Sequence, residues 1–412
     1  MIEQRGKAAA VICTEQFATS ARTTAQTFGM AGYPFAEILH PIGRVSEKEL
    51  SERAEVAFPQ AGLQAGSHTF FSLEGALTNA VLTARQGHIS GVNYLALGDS
   101  FSAGEGNPPF LTAPVDTNSP TDRCHRSAAA YPELINNLAR GLSNPMPIAN
   151  FENWACSGAT RENNVVFDGS GEVAQINHVT SSTNLVTISV GGNDVGFADV
   201  LADCIFGKDA HGTARCQLKP VDDPDGSGQV PLWQREQILL QRLTEDVNGV
   251  PPLHKLYENI VAKMAPNGHI VVLLYPHLFT NTPDNSGCHV LSGLGLPTET
   301  MSYLNVLWLN HETDLLDNTI SSEVAIAKQA GVNIDIADPR QAFGDNEVPA
   351  VAGHGVCGNS PWVNKLMPNA SPFTPSDCKV GSGPVSPCSF HPNQDGQKAF
   401  YRTVMETLGF TP

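Results

Sequence analysis

Four short apolar runs, each the length of one buried strand, constrain the fold of this chain more than any other feature. Stretches with helical periodicity separate them, at 128–141, 232–246, 252–265 and 299–330. Alternating strands and helices predict a mostly parallel sheet with helices on both faces, because each parallel connection needs a crossover segment. The runs are VNYLALG (92–98), NLVTISV (184–190), HIVVLLY (269–275) and VNIDIAD (332–338).

The N-terminal part of the chain has a pattern of its own. Residues 1–58 alternate between apolar runs (8–13 and 34–39) and helical patterns (17–29 and 46–57), which predicts a small βαβα segment. Residues 59–91 are rich in Gly, Gln and Ser and predict a linker. The main domain is then expected to span 92–412.

Charge and hydropathy exclude several classes of function. The chain carries 41 acidic and 24 basic residues, a formal net charge of −17, so it should repel nucleic acid and anionic lipid surfaces. No apolar run reaches the roughly 18 residues that span a bilayer, and we expect no transmembrane segment. The first 30 residues also lack the hydrophobic stretch of a signal peptide.

Nine cysteines point to disulfides more than to a metal site. Eight of them lie between 124 and 388, which allows four bridges and leaves Cys13 as a free thiol. A zinc site is less favoured because no CxxC pair exists, and the acidic loop 222–226 lacks the ligand spacing of an EF-hand. We therefore expect no metal. Disulfides predict an extracellular protein, which conflicts with the missing export signal.

Two polar turns follow predicted strands. Gly98-Asp99-Ser100 comes after the first strand, and Gly191-Gly192-Asn193-Asp194 comes after the second. Ligands of parallel sheets bind outside the carboxyl ends of the strands, so Ser100 and Asn193 are expected at one rim. A serine where a strand breaks into a small-residue turn presents its hydroxyl outward, although Asp-Ser alone is equally typical of a helix cap.

Two further segments complete the groups that acyl transfer requires. Gly158 lies in WACSGAT, and His391 lies in SFHP ahead of a C-terminal helical pattern. Acyl transfer needs an activated hydroxyl, a base and donors aimed at the developing oxyanion. The candidates are Ser100 as nucleophile, His391 as base, and an oxyanion hole formed by the N–H groups of Ser100 and Gly158 and the side chain of Asn193.

These four blocks, in the order Ser, Gly, Asn, His, resemble the SGNH (GDSL-type) hydrolases. The runs GDSFSAGEGNPPF, DRCHRSAAAYP, SVGGNDVGF and SFHPNQDGQKAFY are similar to the secreted streptomycete lipases and esterases. The resemblance covers about 92–412 and implies a flavodoxin-like three-layer α/β/α fold, ester hydrolysis, no metal and no cofactor. The N-terminal AVICTEQFATSARTTAQTFGMAGYPFAEILHPIG resembles part of a UGSC-type (seleno)protein domain.

The same resemblance bears on the cysteines. We predict bridges between sequential neighbours, and the resemblance implies this pairing for the first three. The predicted bridges are Cys124–Cys156, Cys204–Cys216, Cys288–Cys357 and Cys378–Cys388.

The sequence departs from the family at one position. The family has an Asp three residues before its catalytic His, where this chain has Cys388. The resemblance to the streptomycete branch implies a Ser–His dyad, and we predict that the backbone carbonyl of Cys388 orients His391. An imidazole held in this way should keep a pKa near 6.5. Asp395 is an alternative third member, although its place in a helical first turn favours a solvated acid.

The sequence thus predicts a monomeric enzyme that cleaves carboxylic esters, with acyl lipids or medium-chain esters as substrates. A carbohydrate O-acetyl esterase and a non-catalytic binding module on the same fold are the alternatives. Two other histidines stay open: His125 and His354 either line the pocket or satisfy buried hydrogen bonds.

Overall fold

The computed structural model divides the chain into two compact units, Met1–Ser90 and Gly91–Pro412. In the first unit it describes the backbone of 12–14 and 36–38. In the second unit it describes residues 91–111, 124–139, 146–206, 215–280, 287–291, 300–344, 353–379 and 385–410.

The described part of the first unit is a pair of parallel strands. Strand β1 (Ile12–Thr14) pairs with β2 (Ala36–Ile38), with Cys13 opposite Glu37. Both overlap the apolar runs predicted to be strands. The two predicted helices and the predicted linker up to residue 90 lie outside the described residues.

The second unit alternates strands and helices along most of its length. Its elements in chain order are β3 (Val92–Gly98), α1 (Ser100–Ala103), α2 (Tyr131–Leu138), β4 (Ile148–Asn153), β5 (Leu185–Ser189), α3 (Phe197–Phe206), β6 (Pro220–Asp222), β7 (Gln229–Pro231), α4 (Leu232–Arg242), α5 (Leu253–Lys263), β8 (His269–Leu273), β9 (Cys288–His289), β10 (Thr300–Met301), α6 (Tyr303–Gln329), β11 (Ile334–Ala337), α7 (Arg340–Phe343) and α8 (Gln394–Thr407). Three 3₁₀ turns lie at Gln175–His178, Cys216–Leu218 and Ser376–Cys378.

Five of these strands form one parallel sheet in the order β11-β8-β5-β3-β4. Read from the other edge, this is the flavodoxin-like order, in which the chain reverses direction across the sheet between β3 and β5. The parallel α/β fold predicted from the apolar runs is confirmed. Ligand sites of such sheets lie at this switch point, beyond the carboxyl ends of the two strands.

Strand β4 and helix α3 were not predicted. The strand lies at the edge of the sheet and has the polar sequence IANFEN, of which only Ile148 is buried. Both β4 and β11 are edge strands, but β11 is buried at Ile334 and Ala337 whereas β4 is buried only at Ile148, so β4 lacks the apolar run that marks the other four strands. Helix α3 begins at Phe197, and the residue immediately before it is Gly196 and not the Ser, Thr, Asp or Asn that most often signals a helix start.

Disulfides hold the long connections onto this framework. The structure contains Cys124–Cys156, Cys204–Cys216, Cys288–Cys357 and Cys378–Cys388, so the four predicted pairings are confirmed. The second bridge ties the end of α3 to the turn at 216–218, and the fourth closes a loop that ends three residues before His391. Among the described helices, none is long and apolar enough to cross a membrane.

Candidate active site

Ser100 is the first residue of α1, immediately after the end of β3. Asp99 caps this short helix, and its Oδ1 accepts a hydrogen bond of 3.0 Å from the N–H of Phe101. Gly98 has φ +118°, and a Cβ there would lie 2.3 Å from the carbonyl oxygen of Ser189 on β5. The glycine is required because the turn packs directly against the neighbouring strand. As the first helical residue, Ser100 keeps an N–H without an acceptor inside the helix.

Asp99 is buried and holds this turn in place. Its carboxylate accepts hydrogen bonds from Ser189 Oγ at 2.6 Å and from Tyr275 OH at 2.5 Å. The same Tyr275 oxygen accepts a bond of 3.2 Å from the N–H of Gly192, so one side chain joins the turns after β3 and β5. Burial raises the pKa of Asp99 to about 6, against the bonds from Ser189 and Tyr275, which lower it.

His391 contacts the candidate nucleophile. Its Nε2 lies 2.8 Å from Ser100 Oγ, and its Nδ1 lies 3.0 Å from the carbonyl oxygen of Ser389. The prediction that the Cys388 carbonyl orients the ring is therefore wrong by one residue. Phe390 adopts φ +58°, and this left-handed turn directs the carbonyl two residues before the histidine toward Nδ1. The Cys388 carbonyl instead accepts from Asn364 Nδ2 at 3.3 Å.

Asp395 lies apart from this pair. Its side chain is 62% exposed in the first turn of α8 and pairs with Lys398 Nζ at 3.0 Å. It is the solvated acid of a helix N-terminus, which was the favoured interpretation. Among the residues that the structure describes, a carbonyl and not a carboxylate contacts Nδ1 of His391.

The surroundings of His391 favour its neutral form. Burial lowers the pKa of the imidazole below its ordinary 6.5, while the Glu105 carboxylate acts in the opposite direction. The expectation of an unshifted pKa is wrong because it considered only the carbonyl contact and not the loss of water around the ring. A lowered pKa keeps His391 available as a proton acceptor at pH values below 6.5.

The predicted oxyanion donors lie at the same rim. Ser100, Gly158 and Asn193 all line one cavity together with His391. Gly158 has φ +80°, and a Cβ built there would meet nothing within 4 Å among the described residues, so its backbone faces open space. Asn193 Nδ2 donates to the Ala159 carbonyl at 3.0 Å, which fixes the carboxamide and leaves its second N–H for another acceptor.

The cavity has a volume of about 380 Å³, within the range of small-molecule sites. Ser100, Asn193 and His391 are among its polar lining residues, and apolar side chains form most of its wall. Helix α3 contributes the largest share. The apolar lining includes Phe197, Leu201, Ile205 and Phe206 of α3, with Leu278, Leu316, Leu366, Val385 and Phe390.

Comparison with known proteins agrees with this geometry. Residues 94–205, which contain Ser100, Gly158 and Asn193, match the family model described as GDSL-like Lipase/Acylhydrolase. The chain contains a GDSL-type hydrolase domain. It is accordingly a carboxylic ester hydrolase. Residues 1–64 match the UGSC family model.

Curated relatives of the hydrolase domain come from Streptomyces. The chain is 26% identical to Lipase 1 of Streptomyces coelicolor over 80% of its own length and 91% of that protein. It is 27% identical to the Lipase of Streptomyces rimosus over 81% of this chain and 92% of that protein. The crystal structure of phospholipase A1 from Streptomyces albidoflavus has the same fold, with a TM-score of 0.50 and 24% identity over 77% of this chain and all of that one.

A buried ion pair that the sequence did not reveal lies beside the predicted oxyanion donors of the hydrolase domain. The Asp194 carboxylate accepts from the backbone N–H of Arg161 at 3.1 Å and from its Nε at 3.0 Å. The Arg161 guanidinium also donates to the carbonyls of Arg242 and Pro251. Because Asp194 follows Asn193 and Arg161 follows the Gly158 segment, the pair joins the two loops that carry the donors.

The two histidines whose role the sequence left open, His125 and His354, both make hydrogen bonds outside the lining of the cavity. His125 Nδ1 lies 2.6 Å from Glu105 Oε2, and His354 Nδ1 lies 2.8 Å from the Ser360 carbonyl. The His354 ring stacks on Trp362 with 3.6 Å between centroids. Neither histidine belongs to the described lining of the cavity. Of the two alternatives, the buried hydrogen bond is observed for His125, whereas the hydrogen bond of His354 is exposed.

Proposed function

We propose that this enzyme hydrolyses esters of medium or long acyl chains, with Ser100 as nucleophile and His391 as general base. The observation that carries the proposal is the 2.8 Å contact between Ser100 Oγ and His391 Nε2 in a cavity whose lining is mostly apolar. A nucleophile within hydrogen-bond reach of a base, which is itself oriented by a third group, is the arrangement that acyl transfer requires. Here the third group is the Ser389 carbonyl.

The reaction proceeds through an acyl-enzyme. Ser100 Oγ attacks the carbonyl carbon of the ester while its proton passes to His391 Nε2. The oxyanion accepts hydrogen bonds from the N–H groups of Ser100 and Gly158 and from Asn193 Nδ2. Collapse of the intermediate breaks the ester C–O bond, and the leaving alcohol takes the proton from His391. Water then repeats these steps on the acyl-enzyme and releases the carboxylic acid and free Ser100.

The nature of the cavity wall favours an acyl chain over a sugar. An acetylated carbohydrate would need donors and acceptors along the cavity, because each buried hydroxyl left without a partner is costly. Here α3 instead presents a row of apolar side chains. The names of the relatives, lipase and phospholipase A1, are consistent with acyl substrates. All four residues of the proposed site are present, which argues against a binding module without catalysis.

The activity is assigned to residues 92–412, acting as a monomer, because all proposed site residues lie in this one unit of one chain. Residues 1–58 would form a separate small α/β segment, joined by a linker at 59–91. Four disulfides would form in an oxidising compartment, and we propose on this basis that the enzyme acts outside the cytoplasm.

Blocking the cavity should change acyl preference. Leu201 is buried on α3 and lines the cavity, so Leu201→Trp should fill part of the space that a long chain occupies. We expect kcat/KM for dodecanoate esters to fall by about 10-fold or more, while acetate and butyrate esters change by about 2-fold, since each buried methylene contributes about 0.8 kcal/mol. A chromogenic ester series from two to twelve carbons measures this effect.

Leu138→Trp is the matched control for this experiment. Leu138 is half exposed at the end of α2, and we expect its replacement to leave the chain-length profile unchanged. An equal loss for all chain lengths in Leu201→Trp, or a wild-type preference for acetylated sugars over acyl esters, would contradict the proposed substrate class.

Asn193→Ala tests the oxyanion hole. The donor acts mainly on the charge that develops in the transition state, so kcat should fall by about 10²–10³ with a smaller change in KM. Loss of the bond to the Ala159 carbonyl should lower the melting temperature only slightly, since that bond is only partly buried. Steady-state kinetics with a butyrate ester checks the result, and a change confined to KM would show that Asn193 binds only the ground state.

A further inference from the structure

Glu105 is a buried carboxylate that the proposed dyad does not use. Its side chain is 0% exposed, and its Oε2 lies 2.6 Å from Nδ1 of His125, which is itself 11% exposed. The His125 ring stacks on Phe110 with 4.7 Å between centroids. The pair is thus largely removed from water, and electrostatic interactions with the Glu105 carboxylate are weakened less than they would be at the surface.

The segment that carries Glu105 lies directly against the segment that carries His391. Glu105 Oε1 is 3.4 Å from the Sγ of Cys388. A Cβ on the next residue, Gly106, would lie 3.0 Å from the His391 Cβ. Asn107 Nδ2 donates to the Pro392 carbonyl at 2.7 Å. The backbone N–H of Glu105 also donates to the Ser100 carbonyl at 3.0 Å, so the segment contacts both members of the dyad.

Stability alone accounts poorly for such a pair. Removing the charge of the Glu105 carboxylate from water costs several kcal/mol, and apolar residues of similar volume often stabilise the fold as well. His125 also has φ +48°, a strained backbone conformation for a residue with a Cβ. Buried charge and backbone strain at one place beside a catalytic dyad are features of functional sites.

We propose that Glu105 is a positioning residue that acts through His391. Its buried carboxylate supplies, near the imidazole, the negative charge that the aspartate of a catalytic triad would otherwise supply. It does so without touching the imidazole, because the Ser389 carbonyl already occupies Nδ1. A carbonyl fixes the tautomer of the ring but carries no net charge, so it stabilises the imidazolium of the transition state less than a carboxylate would. The buried charge of Glu105 offsets that difference. This inference rests on the proposed Ser100–His391 dyad.

The charges around His391 agree with this assignment. Burial lowers the pKa of His391, Glu105 raises it, and His125 lowers it. The pKa of Glu105 itself lies below its ordinary value: burial would raise it, but the hydrogen bond from His125 and the two nearby imidazoles outweigh that effect. Glu105 is therefore ionised at neutral pH. Asp99 is a second carboxylate near Ser100, but it accepts hydrogen bonds from the Ser189 and Tyr275 hydroxyls and from the N–H of Phe101.

The test compares Glu105→Gln, which removes the charge and keeps the shape, with Glu105→Asp, which keeps the charge. Without the carboxylate the imidazolium is less stable, so the pKa of His391 should fall. The acid limb of the kcat/KM profile should move to lower pH by on the order of one unit, and kcat should fall about 10-fold with little change in KM. Glu105→Asp should restore the position of the limb.

Glu323→Gln is the matched control. Glu323 is also buried, with its side chain 3% exposed, and it pairs with Nδ1 of His254 at the same distance of 2.6 Å, but it lies outside the described lining of the cavity. The Glu323→Gln substitution should lower the melting temperature and leave the acid limb of the kcat/KM profile at its wild-type pH. An NMR titration of the His391 ring, assigned by its absence in His391→Ala, measures the pKa directly in all the variants and in the wild type.

The outcomes separate the two proposals. An unmoved acid limb and an unmoved His391 pKa in Glu105→Gln, while Ser100→Ala is inactive, would overturn the role of Glu105 and leave the dyad standing. A shift of equal size in Glu323→Gln would likewise overturn it, because the effect would then be a general consequence of lost stability. Full activity of Ser100→Ala would instead refute the dyad on which the inference rests.

Discussion

Ser100→Ala should abolish ester cleavage and leave the fold intact. Removal of the nucleophile of a serine hydrolase lowers kcat by about 10⁶-fold, because attack and proton transfer both depend on the hydroxyl. The Ser100 hydroxyl bonds to His391 at the cavity rim, and alanine is a good helix former at this position in α1. The melting temperature should therefore change little. Hydrolysis of a chromogenic butyrate ester and a thermal unfolding curve measure the two effects.

Ser102 provides a matched control two residues further along α1. It is fully buried, and its Oγ bonds to Ser189 Oγ at 2.8 Å and to Tyr131 OH at 3.1 Å. Ser102→Ala should lower stability by about 1–3 kcal/mol, since two buried hydroxyls lose a partner, and should retain most of the activity. Substantial turnover by purified Ser100→Ala, or a loss in Ser102→Ala as large as that in Ser100→Ala, would refute the assignment of the nucleophile.

His391→Ala should lower kcat nearly as much as Ser100→Ala, because the base and the nucleophile act as one unit and removing either disables both. The double variant should be no worse than either single variant. Asp395→Asn is the contrasting substitution, since this carboxylate is exposed and paired with Lys398. We expect it to change kcat by less than about 2-fold, because no triad acid is lost. The same ester assay measures all three proteins.

Other outcomes of these substitutions would assign the catalytic groups differently. If Asp395→Asn lowers kcat by the roughly 10⁴-fold that follows loss of a triad acid, the dyad is wrong and α8 must move to bring Asp395 to the histidine. If His391→Ala keeps substantial activity, another base accepts the serine proton.

Local patterns in the sequence were sufficient to place most of the framework. The inner strands β3, β5 and β8 were predicted because a strand buried on both faces leaves a continuous apolar run, and the edge strand β11 was predicted from the apolar residues in VNIDIAD. Ser100 and Asn193 were assigned to one rim because the carboxyl ends of parallel strands share an edge. The resemblance to the GDSL-type hydrolases added the roles of Gly158 and His391 and the first three disulfide pairings, which neither periodicity nor composition could supply.

Contacts between distant segments were decided only by the tertiary structure. Which carbonyl orients His391 depends on the left-handed turn at Phe390, and no residue type announces that turn. The apolar wall depends on how α3 packs beside the switch point, and its sequence carries no start signal. Glu105 and Cys388 are 283 positions apart, so their contact exists only once the sheet has brought both loops to one rim. Propensity and periodicity act over a few residues, whereas the electrostatics of this site arise from groups joined only by folding.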